Sequence, residues 1–133
     1  MTGGYIDRPV QGVALLLWTA DPAQPHLLAT PFFMAAAAGA MEVPVEIYFT
    51  ARSVHLLVPG AAAGLRASRE HPKTILDAML EAVEHGARLY ACTDALRANG
   101  LGSARLIAQC AGHGGAVQFM ARAASLDWRT LVF

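Results

Sequence analysis

The chain is 133 residues long, 55% hydrophobic and 15% charged, with ten Lys plus Arg balanced by ten Asp plus Glu. That length suits one ordinary domain with a substantial core, and the composition is too apolar for disorder. Zero net charge without a recurring basic cluster excludes the electrostatic footprint of a nucleic-acid binder, and so few charges point to elements buried on both faces or to a subunit interface.

The opening residues, MTGGYIDRPVQG, lack a basic segment followed by an apolar one, so no secretory signal is expected, and residues 1–11 read as a short N-terminal extension. Two cysteines make no disulfide framework, which suits a reducing cytoplasm. GVALLLWT, Gly12 to Thr19, is a continuous apolar run too short for a typical helix and predicts a strand buried on both faces. Pro22 to Met41 carries no acidic or basic residue over a membrane-spanning length, but its prolines, Gln24, His26 and alanine-rich second half favour a buried helix over a span. Thr30 followed by Pro31 marks that helix's start, with the threonine as its cap.

VPVEIYFT, Val43 to Thr50, predicts a second strand, placed toward the sheet edge because of Pro44. Residues 59–71 lack periodicity and read as a long surface loop. In HPKTILDAMLEAVEHG, Ile75, Met79 and Val83 recur at helical spacing, with Lys73, Asp77, Glu81 and Glu84 on the other side and Gly86 as the stop. ARLYAC predicts a third strand and TDALRANG a short helix capped by Thr93 and ended by Gly100. Ala104 to Cys110 reads as a fourth strand or part of a helix, GGAVQFMARAASL as a last helix and RTLVF as a closing strand.

Strands alternating with helices imply right-handed crossovers and a single three-layer α/β domain built on a mainly parallel sheet of about five strands. In such sheets ligands meet the protein beyond the carboxyl ends of the strands, where strand order reverses. A flavodoxin-like order, 2-1-3-4-5, puts that crevice between the ends of the first and third strands. Cys92 would border it from one side, and Thr19 and Asp21 from the other. A cysteine ahead of a helix N-terminus meets N–H donors and the positive end of a dipole, which favour thiolate. Asp94 opposes this and Arg97, a turn further on, supports it, so modest activation is the expectation.

ARLYACTDALRANGL resembles the cysteine-bearing segment of the DsrE/DsrF-like sulfur-relay family, in which an apolar strand ends in a cysteine and runs into a short helix. LLLWTADP, AAAAGAMEVPVEIYFT and GGAVQFMARAASLDWRTLVF resemble the family's first strand and turn, its passage from helix to second strand, and its final helix and closing strand. The resemblance implies a cytoplasmic sulfurtransferase, or sulfur carrier, that works as a homo-oligomer, trimer or hexamer, with sulfur donor and acceptor proteins as partners. Cys92 matches the sulfur-carrying cysteine. Its thiolate would take the outer sulfur of a donor persulfide, and the resulting persulfide would be attacked by an acceptor thiol. No metal or organic cofactor, nucleic acid or membrane is implied. Some family members lack the cysteine or serve as non-catalytic subunits.

Cys110 and His113 have half a metal-site spacing, with no second pair to complete it. Cys110 reads as a small buried hydrophobe, with a resolving thiol for Cys92 as the alternative. His113 reads as a solvated turn residue, with a place beside the Cys92 crevice as the alternative. His55, His71 and His85 read as surface or helix-end residues. GAAAGLRAS lacks the lysine of a P-loop, GHGGAV fails the dinucleotide fingerprint, and no G-x-S-x-G elbow occurs. Two functional classes remain: a thiol sulfurtransferase working through Cys92, and a non-catalytic subunit or small-ligand binding module in which Cys92 is incidental.

Overall fold

The structure, a computed structural model, describes residues 9–133, so most of the expected N-terminal extension, residues 1–8, lies outside the described residues. Five strands, β1 (Gly12–Leu17), β2 (Val45–Phe49), β3 (Arg88–Ala91), β4 (Cys110–His113) and β5 (Trp128–Val132), form one sheet that is parallel throughout, in the order β4-β3-β2-β1-β5. Four α-helices connect them: α1 (Ala29–Ala40), α2 (Ile75–Glu84), α3 (Thr93–Ala98) and α4 (Ala116–Ala123).

The order differs from the expected 2-1-3-4-5 and carries two corrections. β2 is central rather than at an edge, and all five of its residues are buried. Pro44 stands just before β2, where its missing N–H costs the ladder nothing and its carbonyl accepts from Val13 N at 2.9 Å. β1 and β3 are therefore not neighbours, and the expected crevice between their ends is filled by β2.

Alternation along the strands divides the core into two faces. Leu15, Leu17, Ile47, Phe49, Leu89 and Ala91 belong to a large cluster with Phe32 and Ala35 of α1, Ile75 and Met79 of α2, and Leu96 of α3. Ala14, Leu16, Tyr48 and Tyr90 point the other way, with Phe119 of α4 and Trp128. This layering follows from handedness. The steps β1 to β2 to β3 to β4 run in one direction, so right-handed crossovers put α1, α2 and α3 on one face; the return from β4 to β5 runs back and puts α4 on the other.

Local chemistry sets the helix ends. α2 begins in a capping box in which Thr74 Oγ1 accepts from Asp77 N at 3.0 Å and Asp77 Oδ2 accepts from Thr74 N at 2.9 Å. It stops ahead of Gly86, whose φ of +99° favours glycine. α1 begins one residue before Thr30, with Leu28 as its N-cap and no side-chain cap, so Thr30 does not have the expected role. Residues 59–71 are only partly loop. A 3-10 turn covers Ala62–Gly64, Ala62 is buried, and Arg66 donates to the carbonyls of His71 and Pro72 at 2.9 Å. Of the segment from Ala104 to Cys110 only Cys110 is strand, so the thiol opens β4 instead of closing a longer element. Among the described residues no helix is long and apolar enough to cross a membrane.

Candidate functional site

Among the described residues the connections leave neighbouring strands for opposite faces at one place only, where β3 runs into α3 and β4 into α4. Such a switch point opens a crevice beyond the strand ends. Cys92 follows β3 there, and Gly114 and Gly115 follow β4. Cys92 N donates to Phe49 O at 2.9 Å and Gly114 N to Ala91 O at 3.0 Å, so the ladder bonding on both sides of β3 extends to the thiol's own level.

Cys92 is half-buried and is the N-cap of α3; no hydrogen bond from its side chain caps that helix. A methyl group built on Gly115, the N-cap of α4, would stand 3.6 Å from the Cys92 sulfur. The thiol therefore lies beside the start of α4, whose N-cap has no side chain to satisfy the first-turn N–H groups. Gly114 is tighter still: a methyl group there would meet Gln118 Oε1 at 3.0 Å and Tyr48 Cε1 and Tyr90 Cβ at 3.1 Å. The two glycines let the β4–α4 turn close down beside the sulfur.

Between α4 and the sheet lies a cavity of about 280 Å³, lined by Leu16 and Trp18 from β1 and its exit, Tyr48, Phe49 and Thr50 from the end of β2, Cys92, the two glycines, and Ala116, Phe119 and Met120. None of these side chains is charged. The nearby charges are spent on one another: Arg122 donates to both oxygens of Glu46 at 2.9 Å, and the Tyr48 hydroxyl donates to Glu46 Oε1 at 2.6 Å. Burial pushes the Glu46 carboxyl up, but the hydrogen bonds from Arg122 and Tyr48 outweigh it and hold the group below its ordinary value. Burial and then the Glu46 carboxylate push the Tyr48 phenol up, so it stays protonated.

The family model described as DsrE/DsrF-like matches residues 13–133. The chain belongs to the DsrE/DsrF-like family. Two solved structures share this DsrE/DsrF-like fold. The ychN protein from E.coli is 17% identical, with a TM-score of 0.68 over 92% of this chain and 99% of its own. The protein of unknown function MTH1491 from Methanobacterium thermoautotrophicum is 19% identical, with a TM-score of 0.61 over 91% of this chain and 97% of its own. The comparison with curated proteins finds no match.

The other residues singled out from sequence are placed differently from Cys92. Thr19 is exposed past β1, where its N–H donates to Phe133 O at 2.9 Å, and it does not line the cavity. Asp21 accepts from Ala23 N at 2.9 Å and from Arg52 Nε at 3.1 Å, and these bonds hold its carboxyl below the ordinary value despite some desolvation. It opens a chain of contacts through Arg52 and His55 to Asn99, also away from the cavity lining. Thr93 is the first residue of α3, not its cap, and its hydroxyl shares a hydrogen bond with His113 Nδ1 at 3.1 Å. His113 thus borders the helix that follows the thiol. Arg97 lies 3.8 Å from Asp94 on the exposed side of α3. Cys110 pairs with Leu89, three residues before Cys92. At about 3.3 Å per residue along the strand, plus the spacing between strands, the two thiols are too far apart for a disulfide without backbone movement.

Apart from Cys92, the cavity lining escaped the sequence reading. One signal was available: in VEIYF, period-two alternation puts Glu46 and Tyr48 on the face opposite Ile47, and that face is the one α4 covers.

Proposed function

We infer that this protein carries sulfane sulfur as a persulfide on Cys92 and passes it to a partner thiol, acting in the cytoplasm as a homo-oligomer of single DsrE/DsrF-like domains. The observation that carries the reading is the half-buried thiol at the β3/β4 switch point, beside the uncapped start of α4. An anionic perthiolate there would meet unpaired N–H groups and the positive end of the α4 dipole.

Each transfer is an exchange. The Cys92 thiolate attacks the outer sulfur of a donor persulfide, the bond to the inner sulfur breaks, and the donor leaves as a thiolate; an acceptor thiolate later repeats the step on Cys92. Family membership supports the reading through the family's association with sulfur relay. A non-catalytic, ligand-binding subunit is the second reading, favoured by the apolar character of the cavity.

Intact-mass spectrometry after incubation with a sulfane-sulfur donor separates them. The carrier gains sulfur in multiples of one atom, Cys92→Ser gains none, and Cys110→Ser loads like the parent. A parent protein that gains no sulfur mass leaves the ligand-binding reading standing alone.

A further inference from the structure

The cavity beside Cys92 bears on which donor the thiol can meet. Its volume of about 280 Å³ exceeds the roughly 150 Å³ of an apolar protein cavity that takes benzene. Apart from the thiol, the hydroxyls of Thr50 and Tyr48 and the indole N–H of Trp18 are the polar side-chain groups among the lining residues, and the Tyr48 hydroxyl is bound to Glu46. Arg122, the guanidinium that α4 brings to this face, is already paired with both oxygens of Glu46 and lies over the Trp128 ring at 3.9 Å. A charged group lodged among Leu16, Trp18, Phe119 and Met120, away from the start of α4, would lose its hydration with no charged lining side chain to replace it, whereas an aryl or alkyl group would exchange water for those side chains.

We propose that this cavity is a subsite for the uncharged organic group of a small-molecule sulfane-sulfur donor, holding that group against α4 while the transferable sulfur faces Cys92. The proposal rests on the carrier reading of Cys92. For a thiosulfonate donor, R–SO₂–S⁻, the step balances without an oxidant or reductant. The Cys92 thiolate forms a bond to the outer sulfur, the bond between that sulfur and the sulfonyl sulfur breaks, and the electron pair leaves with the sulfinate, R–SO₂⁻. The outer sulfur remains on Cys92 as perthiolate. The selective element is R, so donors that share the reacting group and differ in R report on the cavity.

The test loads the purified full chain from benzenethiosulfonate, methanethiosulfonate and inorganic thiosulfate, reads the added sulfur by intact mass, and divides each rate by that of free cysteine with the same donor. The normalised benzene rate should exceed the methane rate by about tenfold or more, with thiosulfate slowest. Ala116→Leu, which fills the cavity from the first residue of α4, should bring the benzene-to-methane ratio toward one. Toluene, which cannot react, should perturb Trp18 emission in Cys92→Ser, a check that stands if Ala116→Leu fails to fold. Loading from every donor in the proportions of free cysteine would leave the carrier reading intact and overturn the subsite. No loading from any donor would overturn both. Toluene binding confined to chains dissociated by dilution would give the cavity to a second copy of the protein and also overturn the subsite.

Discussion

The two glycines that close on the thiol would tolerate an added methyl group unequally. At Gly114 a Cβ would come within 3.0–3.1 Å of Gln118 Oε1, Tyr48 Cε1 and Tyr90 Cβ; the Tyr48 ring is stacked on that of Tyr90, 5.3 Å between centroids, and Tyr90 Cβ is fixed to its backbone, so neither can simply swing aside. Gly114→Ala should therefore cost about 1–3 kcal/mol of stability, the usual range for overpacking, read as a lowered denaturant midpoint. Gly115→Ala, whose methyl would meet only the sulfur at an ordinary contact distance, should cost less than Gly114→Ala in the same measurement. Cys92 itself is half-buried and makes no side-chain hydrogen bond as an N-cap. Cys92→Ser should change stability by no more than about 1 kcal/mol while abolishing sulfur loading, because a serine hydroxyl at this position can still reach water. An unchanged loading stoichiometry would remove Cys92 from the mechanism.

At the scale of elements, α4 is the least securely held helix. Phe119 is its only buried residue, and it meets Tyr48 edge-on with 5.7 Å between ring centroids. The second fastening is the Glu46–Arg122 pair, in which Glu46 is nearly buried and Arg122 about one-third exposed. Removing one partner from such a pair should cost more than an exposed bridge and less than a fully buried one, so Arg122→Met should lose about 1–3 kcal/mol. The pair also sets a pH dependence. Because the folded Glu46 pKa is depressed, its stabilisation is fully present above the unfolded value of 4.5 and is lost as pH falls through the lower folded value. Acid titration should loosen α4 in that window, seen as faster hydrogen exchange in residues 116–123, and Glu46→Gln should flatten the change. The helix α2 was legible from spacing alone because Ile75 and Met79 recur on one buried side and Gly86 ends the run. The start of α1 was not, since nothing in Thr30 and Pro31 distinguishes a cap from the helix's second and third residues. Cys110 was misplaced for a similar reason: Leu106 and Ile107 look like strand residues, but Ile107 N donates to Leu57 O and the strand begins only afterwards.

For the whole molecule, alternation of strands and helices disclosed the α/β class but not which strands touch. β2 was assigned to an edge on the strength of one proline, although a run whose five residues are all buried belongs in the middle. Cys92 nevertheless reached the switch point, because that site depends on the helices leaving β3 and β4 on opposite faces and not on β1 being next to β3. Outside the cavity lining, the α4 side of the sheet leaves Val117 and Val132 exposed, Val117 at 88%. Burying these side chains between copies is the natural outlet for so apolar a chain, and light scattering should find an oligomer at micromolar concentration. Val117→Glu should shift that distribution toward monomer; a monomeric parent would overturn the expectation.

The pairing of β3 with β4 slips once: Leu89 faces Cys110, yet the next residue, Tyr90, faces Gly112, leaving Ala111 as the extra residue of a bulge. Counting on from there, Ala91 pairs with His113, so Gly114 falls level with Cys92. Were Ala111 paired with Tyr90, with no slip, His113 would fall level with Cys92. The ladder thus works as a vernier, in which one residue of slip decides whether the sulfur's neighbour across the strands is a hydrogen atom or an imidazole. A protein lacking Ala111 should lose the bulge yet keep its apolar berth, since Gly112 and His113 retain their partners, and the ultraviolet thiolate absorbance of the two proteins, followed against pH, should coincide.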